Sequence, residues 1–219
     1  MRYKRHKIKI TREALKHDGF VDFISKCVGL YNTYKTKILI VVCFLGVALL
    51  SGFTYWFYLE KQSDNASFAL YKAANGEELE AVFNRFSGTD SGKIALYLSA
   101  TSYVKTGDAQ KALQLFEKFI DRYSSNYLIP DAMIAVSCIK IDAGKRGEAL
   151  AILDKLVDRY PFSYVTPEAL AYKGMILEEE GESHEALIQY KKIAETYPGS
   201  FWVNDAEQKI SILSSNLKL

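Results

Sequence analysis

Residues 107–123, GDAQKALQLFEKFIDRY, recur 37 residues later as GKRGEALAILDKLVDRY (144–160) and again as GESHEALIQYKKIAETY (181–197). The first glycine, an alanine–leucine pair and the last tyrosine keep their places in all three copies. A fixed period of about 20 to 50 residues is typical of a solenoid, in which each repeat buries its apolar face against its neighbours. These stretches therefore predict an array of stacked repeats.

Small residues indicate where the two helices of each repeat would cross closely. Twelve residues before the alanine of the recurring pair, every copy again has a small residue. Large apolar residues follow that alanine four and seven places later, where they would fill the groove between neighbouring helices. The small residues are Ala100, Ser137 and Gly174, paired with Ala112, Ala149 and Ala186. Each repeat is therefore predicted to be a pair of tightly packed helices.

This register resembles the tetratricopeptide family over about half of the chain. It predicts repeats at 93–126, 130–163 and 167–200, with Pro161 and Pro198 at two of the repeat ends. The first repeat lacks this proline, and the large aromatic residue usual near the start of the first helix is absent from all three. The expected fold is an all-α solenoid of about three full repeats with flanking helices.

The resemblance implies a concave groove, lined by the first helix of each repeat, that binds segments of other proteins. By position, the groove residues would be Tyr97, Thr101, Lys105, Ile134, Cys138, Ile141, Ala171, Met175 and Glu178. The middle of this set is apolar and its ends are polar. The alternative is that some of these side chains simply pack against neighbouring helices.

Helical segments flank the repeats on both sides. Residues 77–86 are predicted to be the second helix of a degenerate leading repeat, and the polar pattern of 204–217 is typical of a capping helix. The predicted divisions are a basic leader (1–37), a transmembrane helix (38–58), a connector with the leading repeat (59–90), three repeats (91–201) and a C-terminal cap (202–219).

The apolar segment 38–58 has no charged residue and is long enough to span the hydrocarbon core of a bilayer as a helix. Residues 1–37 carry ten Lys or Arg against three acids, whereas the residues after 58 carry 18 against 23. Because basic flanks resist translocation, the N-terminus is predicted to be cytoplasmic and the C-terminal domain to lie on the opposite side of the membrane. The long preceding leader and the aromatic exit Tyr55–Tyr58 are unlike a cleaved signal peptide.

The leader is predicted to contact membrane lipid. Its basic residues 2–16 would attract anionic headgroups, and the short, motif-free run does not favour nucleic acid. Apolar residues then recur at helical spacing, which predicts an amphipathic helix on the cytoplasmic leaflet. The membrane-surface residues would be Phe20, Phe23, Ile24, Cys27 and Tyr31. This helix would either anchor the protein or dock on a membrane partner.

No motif for catalysis, cofactor binding or metal binding is found in the sequence after residue 58. The triplet Glu178–Glu180 is interpreted as a solvated helix end, because consecutive helical residues point in different directions. Cys27, Cys43 and Cys138 would lie in three different compartments and so predict no disulfide. We therefore expect a non-enzymatic protein without cofactor.

The layout resembles the YfgM-like family of bacterial inner-membrane proteins. The residues that carry this resemblance are 20–23 before the apolar segment, Tyr55–Phe57 at its exit, 69–74 beyond it, and the repeats. The resemblance implies an ancillary subunit of the Sec translocon that contacts periplasmic chaperones or envelope proteins. Alternatives are a structural homo-oligomer and an envelope adaptor linked to Tol-Pal or outer-membrane assembly.

Overall fold

The computed structural model describes residues 19–217, in which nine α-helices follow one another and no β-strand occurs. This confirms the predicted all-α fold and its helical repeats. The helices are α1 (Gly19–Lys72), α2 (Gly76–Phe86), α3 (Asp90–Lys105), α4 (Ala109–Arg122), α5 (Ile129–Asp142), α6 (Arg146–Arg159), α7 (Thr166–Glu179), α8 (Ser183–Thr196) and α9 (Val203–Asn216). The predicted basic run 2–16 lies outside the described residues.

The described part of the first compact unit, residues 19–60, consists of α1 alone. The helix runs without a break from the amphipathic segment through the apolar segment 38–58. Its most apolar window has a mean hydropathy of 2.4 and none of that window is buried in the protein. By length and composition, α1 can therefore cross a membrane.

The second compact unit begins at Lys61 and contains the end of α1 and all the later helices. Asn75 caps α2, because its side-chain oxygen accepts a hydrogen bond from the Glu78 backbone N–H at 2.9 Å. The Glu78 carboxylate in turn accepts from the Ala74 N–H at 2.8 Å. This reciprocal arrangement satisfies two backbone donors and fixes the break between α1 and α2.

Glycine ends the first helix of every repeat. Gly107, Gly144 and Gly181 have φ of 83°, 72° and 83°, a region that other residues rarely adopt. The following residue's N–H bonds back to a carbonyl five residues earlier, as in Asp108 to Tyr103 at 2.9 Å. The same bond recurs in the other two repeats, so the repeated glycines produce three equivalent turns.

Consecutive helices from α2 to α9 pack against one another around one apolar core. The predicted small residues are all buried at the helix crossings, as expected. A Cβ atom at Gly174 would lie only 2.6 Å from Cζ of Tyr190, so this crossing admits no larger residue without a shift. The buried Phe116, Phe119 and Leu153 fill the space beside these crossings.

Buried hydroxyl groups in the array have partners. Ser99 donates to the Gly76 carbonyl at 2.7 Å and Ser137 to the Met133 carbonyl at 2.8 Å. Thr166 donates to the carbonyl of Tyr160 at 2.6 Å and so ties the start of α7 to the end of α6. These bonds offset the cost of burying polar groups.

Tyrosines at the repeat ends join successive repeats. The Tyr123 hydroxyl donates to the Ser87 carbonyl at 2.8 Å, and the Tyr197 hydroxyl donates to the Pro161 carbonyl at 2.8 Å. Each bond reaches back 36 residues, to the turn at the end of the preceding helix pair. At these two places the recurring tyrosine therefore links the end of one repeat to the end of the preceding repeat.

The α3 helix differs from α5 and α7. It begins at Asp90, three residues before the predicted start of the first repeat, whereas α5 and α7 each begin one residue before theirs. The reason is a cap, because the Thr89 hydroxyl oxygen accepts from the Gly92 N–H at 3.1 Å. The first repeat consequently starts almost one turn early.

Candidate functional site

The predicted groove residues lie on the first helices α3, α5 and α7. Thr101, Cys138 and Met175 occupy the same position in successive repeats and are partly or fully exposed. Ile134 and Ala171 are buried and contribute to the core, as the alternative interpretation allowed. Of the other predicted groove residues, Lys105 is exposed. Three are half-buried, namely Tyr97, Ile141 and Glu178.

Tyr97 and Glu178 are held by internal contacts. The Tyr97 ring packs edge-on against Phe116 and Phe119, with centroids 5.6 and 5.8 Å away. Glu178 accepts hydrogen bonds from the Tyr190 hydroxyl at 2.6 Å and from Lys209 Nζ at 2.8 Å. These two side chains therefore stabilise the stack, and a ligand would have to compete with those bonds.

In the middle of the groove face, Cys138 on α5 interacts with Tyr172 on α7. Burial raises the pKa of Cys138 and of Tyr172, and the pKa of each is raised further by the charge of Glu168. A raised thiol pKa keeps Cys138 protonated, and a thiol in that state is a poor nucleophile and metal ligand. No group of three or more potential metal-ligating side chains is found among residues 19–217.

Three carboxylates recur in the first turns of α5, α7 and α9. They are Asp131, Glu168 and Asp205, spaced 37 residues apart. Negative charge in a first turn is favourable beside the positive end of the helix dipole. Within the described residues, no Lys or Arg forms a salt bridge with any of them. No basic side chain of this region therefore neutralises their charges.

Asp131 is fixed by a residue from the next repeat. The Tyr164 hydroxyl donates to Asp131 Oδ1, and this bond raises the pKa of Tyr164 to about 12. The second oxygen, Oδ2, is buried without a hydrogen-bond partner. Burial and the charge of Asp131 also raise the pKa of Glu168.

Sequence reasoning missed a row of exposed aromatic side chains between the repeats. Tyr127, Tyr164 and Phe201 are spaced 37 residues apart, and Phe162 lies two residues before Tyr164. Their exposed fractions range from 72% to 99%. The signal was present in the sequence, because Tyr127, Tyr164 and Phe201 follow the same period as the repeat-end tyrosines.

Two successive turns place these aromatics outside the core. In the last junction, the Ser200 N–H donates to the Tyr197 carbonyl at 2.9 Å and the Val203 N–H donates to the Ser200 carbonyl at 3.3 Å. The Trp202 N–H also donates to the Ser200 hydroxyl at 3.2 Å. Phe201 therefore stands at the corner between the turns, where no helix covers it.

A pocket of about 780 Å³ lies between residues 161–168 and 196–202, and we call it the edge pocket. Five aromatic rings line it, together with three prolines and Glu168, which is the charged residue among them. The rings belong to Phe162, Tyr164, Tyr197, Phe201 and Trp202. The pocket therefore combines a large apolar surface with a carboxylate.

The predicted membrane-surface residues are all exposed on the N-terminal part of α1. Phe20, Phe23, Ile24 and Tyr31 make no contribution to the buried core, and Cys27 is a free, exposed thiol. Their exposure is compatible with contact to lipid or to a membrane protein. Lipid binding by these side chains stays a prediction.

Comparison with known proteins gives a family and a fold. The tetratricopeptide repeat-like domain matches residues 30–204. No curated protein matches the chain. MamA from residue 41 to its end, from Desulfovibrio magneticus RS-1, is 14% identical with a TM-score of 0.51, covering 73% of this chain and 85% of that one.

YrrB, a tetratricopeptide protein described as having an unusual peptide-binding site, is 21% identical with a TM-score of 0.48. That alignment covers 76% of this chain and 84% of YrrB. At 14% identity, the likeness to MamA speaks for the fold alone. The family match, in contrast, extends over most of the chain, and this protein therefore belongs to the tetratricopeptide repeat-like domain family.

Proposed function

We propose that this protein is a non-catalytic, membrane-anchored scaffold that binds other proteins through the face formed by its first helices. One observation carries the proposal: Thr101, Cys138 and Met175 are aligned across three repeats, and the internal packing leaves them partly or fully exposed. Solenoids use such continuous faces as extended binding surfaces. An apolar centre with polar ends suits a polypeptide segment that is apolar in its middle.

The proposed anchor is the apolar segment 38–58 in a bacterial inner membrane. The excess of basic residues before this segment supports a cytoplasmic N-terminus, with the repeat array in the periplasm. The exposed apolar side chains of residues 20–31 would then contact the cytoplasmic leaflet or a neighbouring membrane protein.

The proposed cellular role is assistance to protein secretion or envelope protein biogenesis at the translocon. The layout that resembles YfgM-like proteins supports this role. The partners would be the translocon, periplasmic chaperones and emerging envelope proteins. An adaptor linked to Tol-Pal or outer-membrane assembly is the alternative placement of the same scaffold.

Photocrosslinking in cells tests the binding face. A benzoylphenylalanine residue would replace Thr101 or Met175 in the full chain, and crosslinked partners would be identified by mass spectrometry. Matched controls carry the probe on second helices at Gln114 and Ile188, which are also exposed. Since Met175 and Ile188 are 44% and 54% exposed, accessibility alone would not favour the groove.

The proposal expects polypeptide partners to be captured from Thr101 and Met175 and not from the two controls. Equal capture from both faces would contradict a specific binding face. Capture of a second copy of this chain alone would instead establish the homo-oligomer and replace the scaffold hypothesis.

Orientation is tested by labelling single cysteines in spheroplasts with a membrane-impermeant maleimide. One variant retains Cys27 as its single cysteine. The other carries S124C as its single cysteine, with the three native cysteines replaced by serine. The proposal expects S124C to be labelled in intact spheroplasts and Cys27 only after lysis. The reverse pattern would overturn the periplasmic placement.

A further inference from the structure

The edge pocket is a second concave surface, separate from the row Thr101, Cys138 and Met175. Its rings come from two successive inter-repeat junctions, with Phe162 and Tyr164 from one and Phe201 and Trp202 from the next. Phe162 is 99% exposed and Phe201 is 87% exposed. Neither side chain therefore contributes appreciably to the core, and the exposure of these large apolar rings does not stabilise the array.

Some of the aromatic rings on this surface are already ordered. The Trp202 ring lies 6.1 Å from Tyr172 and 6.3 Å from Phe201, in tilted and edge-on orientations. Tyr197 is fixed by its hydrogen bond to the Pro161 carbonyl. A ligand would therefore meet partly preformed walls, which lowers the entropy cost of binding.

The charge of the pocket is negative. Glu168 lines it, and Tyr164 in its wall bonds to the second carboxylate, Asp131. In the described chain no Lys or Arg pairs with either carboxylate, and no basic residue lines the pocket. An incoming cation could pair with Glu168 without displacing a basic side chain, and the charge of Asp131 behind Tyr164 would add to the attraction.

We infer that the edge pocket binds an arginine side chain, flanked by apolar residues, in a polypeptide segment of a partner protein. A guanidinium stacks on aromatic faces and also pairs with a carboxylate through two parallel hydrogen bonds. Lysine offers a point charge without the planar surface for stacking. The volume of about 780 Å³ exceeds one arginine side chain, so neighbouring apolar residues of the segment would contact Phe162 and Phe201.

This inference does not depend on the groove, because none of the three groove-row residues lines the pocket. Binding at the groove and binding at the edge pocket can therefore be tested in separate experiments. Loss of crosslinking from Met175 would leave peptide binding at the pocket unchanged.

The pocket contains its own reporter. The chain has two tryptophans, and W56F in the apolar segment leaves Trp202 as the fluorophore. Full-length W56F protein in nanodiscs would be titrated with acetyl-Gly-Phe-Arg-Phe-Gly-amide. The matched probe replaces arginine by citrulline, which keeps the shape and removes the charge.

We expect the arginine peptide to bind about tenfold or more tightly than the citrulline peptide, because a charge-assisted bond is lost in the second. E168Q should remove that difference by weakening the arginine peptide alone. F162A should weaken both peptides, since it removes apolar contact without touching the carboxylate. Higher salt should weaken only the arginine peptide.

Two variants serve as matched controls. Y127A removes an exposed aromatic residue at the position equivalent to Tyr164, and D205N removes a carboxylate equivalent to Glu168. Both residues lie outside the edge pocket, and neither change should alter the affinity of either peptide. Circular dichroism would establish that every variant retains its helical fold.

The inference is overturned if the arginine peptide does not bind at millimolar concentration, or if citrulline makes no difference. Unchanged affinity in E168Q with an intact fold would also overturn it. Displacement of the peptide by choline at equal concentration would assign the pocket to a small quaternary ammonium ligand instead.

Discussion

The apolar segment of α1 and the array from α2 to α9 are both helical, but their apolar side chains lie in opposite environments. Phe44 and Leu49 in the apolar segment are each 74% exposed. Phe116 and Phe119 in the array are almost completely buried. Composition alone does not distinguish these phenylalanines, since both regions are rich in large apolar residues.

The difference lies in the order of residues along each helix. In the segment 38–58 an unbroken apolar run covers all sides of α1, a pattern that suits a lipid environment because a single helix cannot bury it. In the array, apolar residues recur at three- and four-residue spacing and leave a polar side facing water. The pattern of apolar residues therefore distinguishes a candidate membrane span from helices that pack against other helices.

The largest effect is expected when a core phenylalanine of the array is truncated. F119A should lower the free energy of unfolding by about 3 to 5 kcal/mol, because it leaves a cavity that the repeats cannot close. F44A makes the same chemical change on an exposed side chain and should leave the unfolding of the array unchanged. Thermal melts of both full-length variants in detergent, followed by circular dichroism, test the comparison. Equal melting temperatures would contradict it.

A charge in the apolar segment should weaken membrane insertion and leave the stability of the array unchanged. L49R should disfavour membrane insertion by about 2.5 to 3.5 kcal/mol, while the array still folds. Carbonate extraction of cell membranes would measure the fraction of chain retained. L115R, at a buried position of α4, should abolish folding of the array and leave insertion intact. If L49R remained fully membrane-bound, the assignment of this segment as the anchor would be wrong.

A smaller effect is expected at the close crossing of α7 and α8. G174A would place a methyl group against the buried Tyr190 ring and should cost about 1 to 2 kcal/mol, after the gain in helix propensity is included. Gly147, where a Cβ meets nothing within 4 Å, provides the control. We expect G147A to be neutral or slightly stabilising in the same thermal melts. A neutral G174A would show that Tyr190 moves aside freely.

The smallest effect concerns the repeat-end tyrosines. Y197F removes the hydrogen bond to Pro161 and should lower stability by about 0.5 to 1.5 kcal/mol. The hydroxyl of Tyr160, at the equivalent position, has no hydrogen bond in the described part of the chain, so Y160F should have no effect. Urea unfolding of the two variants would measure the difference. Equal losses would mean that the hydroxyl bond is not the cause.

Most of the fold could be predicted from the sequence, because the repeat signals are local. The small residues Ala112 and Gly174 mark the crossings, and the period of 37 residues places each turn. The break near Asn75 follows from one capping residue. Helix starts were less predictable, since the Thr89 cap extends α3 by almost a turn.

The candidate site was only partly predictable. Helical spacing put Ile134 and Ala171 on the groove face, but it contains no information about how far a neighbouring repeat covers that face. The edge pocket was not predicted, although Tyr164 and Phe201 keep the period. Their outward direction depends on consecutive turns, and sequence spacing does not reveal which side of a turn a ring occupies.

The tyrosine hydrogen bonds between repeats have a mechanical consequence. Bonds from Tyr123 and Tyr197 reinforce two junctions, while the described residues contain no equivalent bond from Tyr160 to the junction at residues 124–128. Under tension along the stack, the load at those two junctions would be shared between side-chain packing and a tyrosine hydroxyl bond, whereas the junction at residues 124–128 lacks that bond.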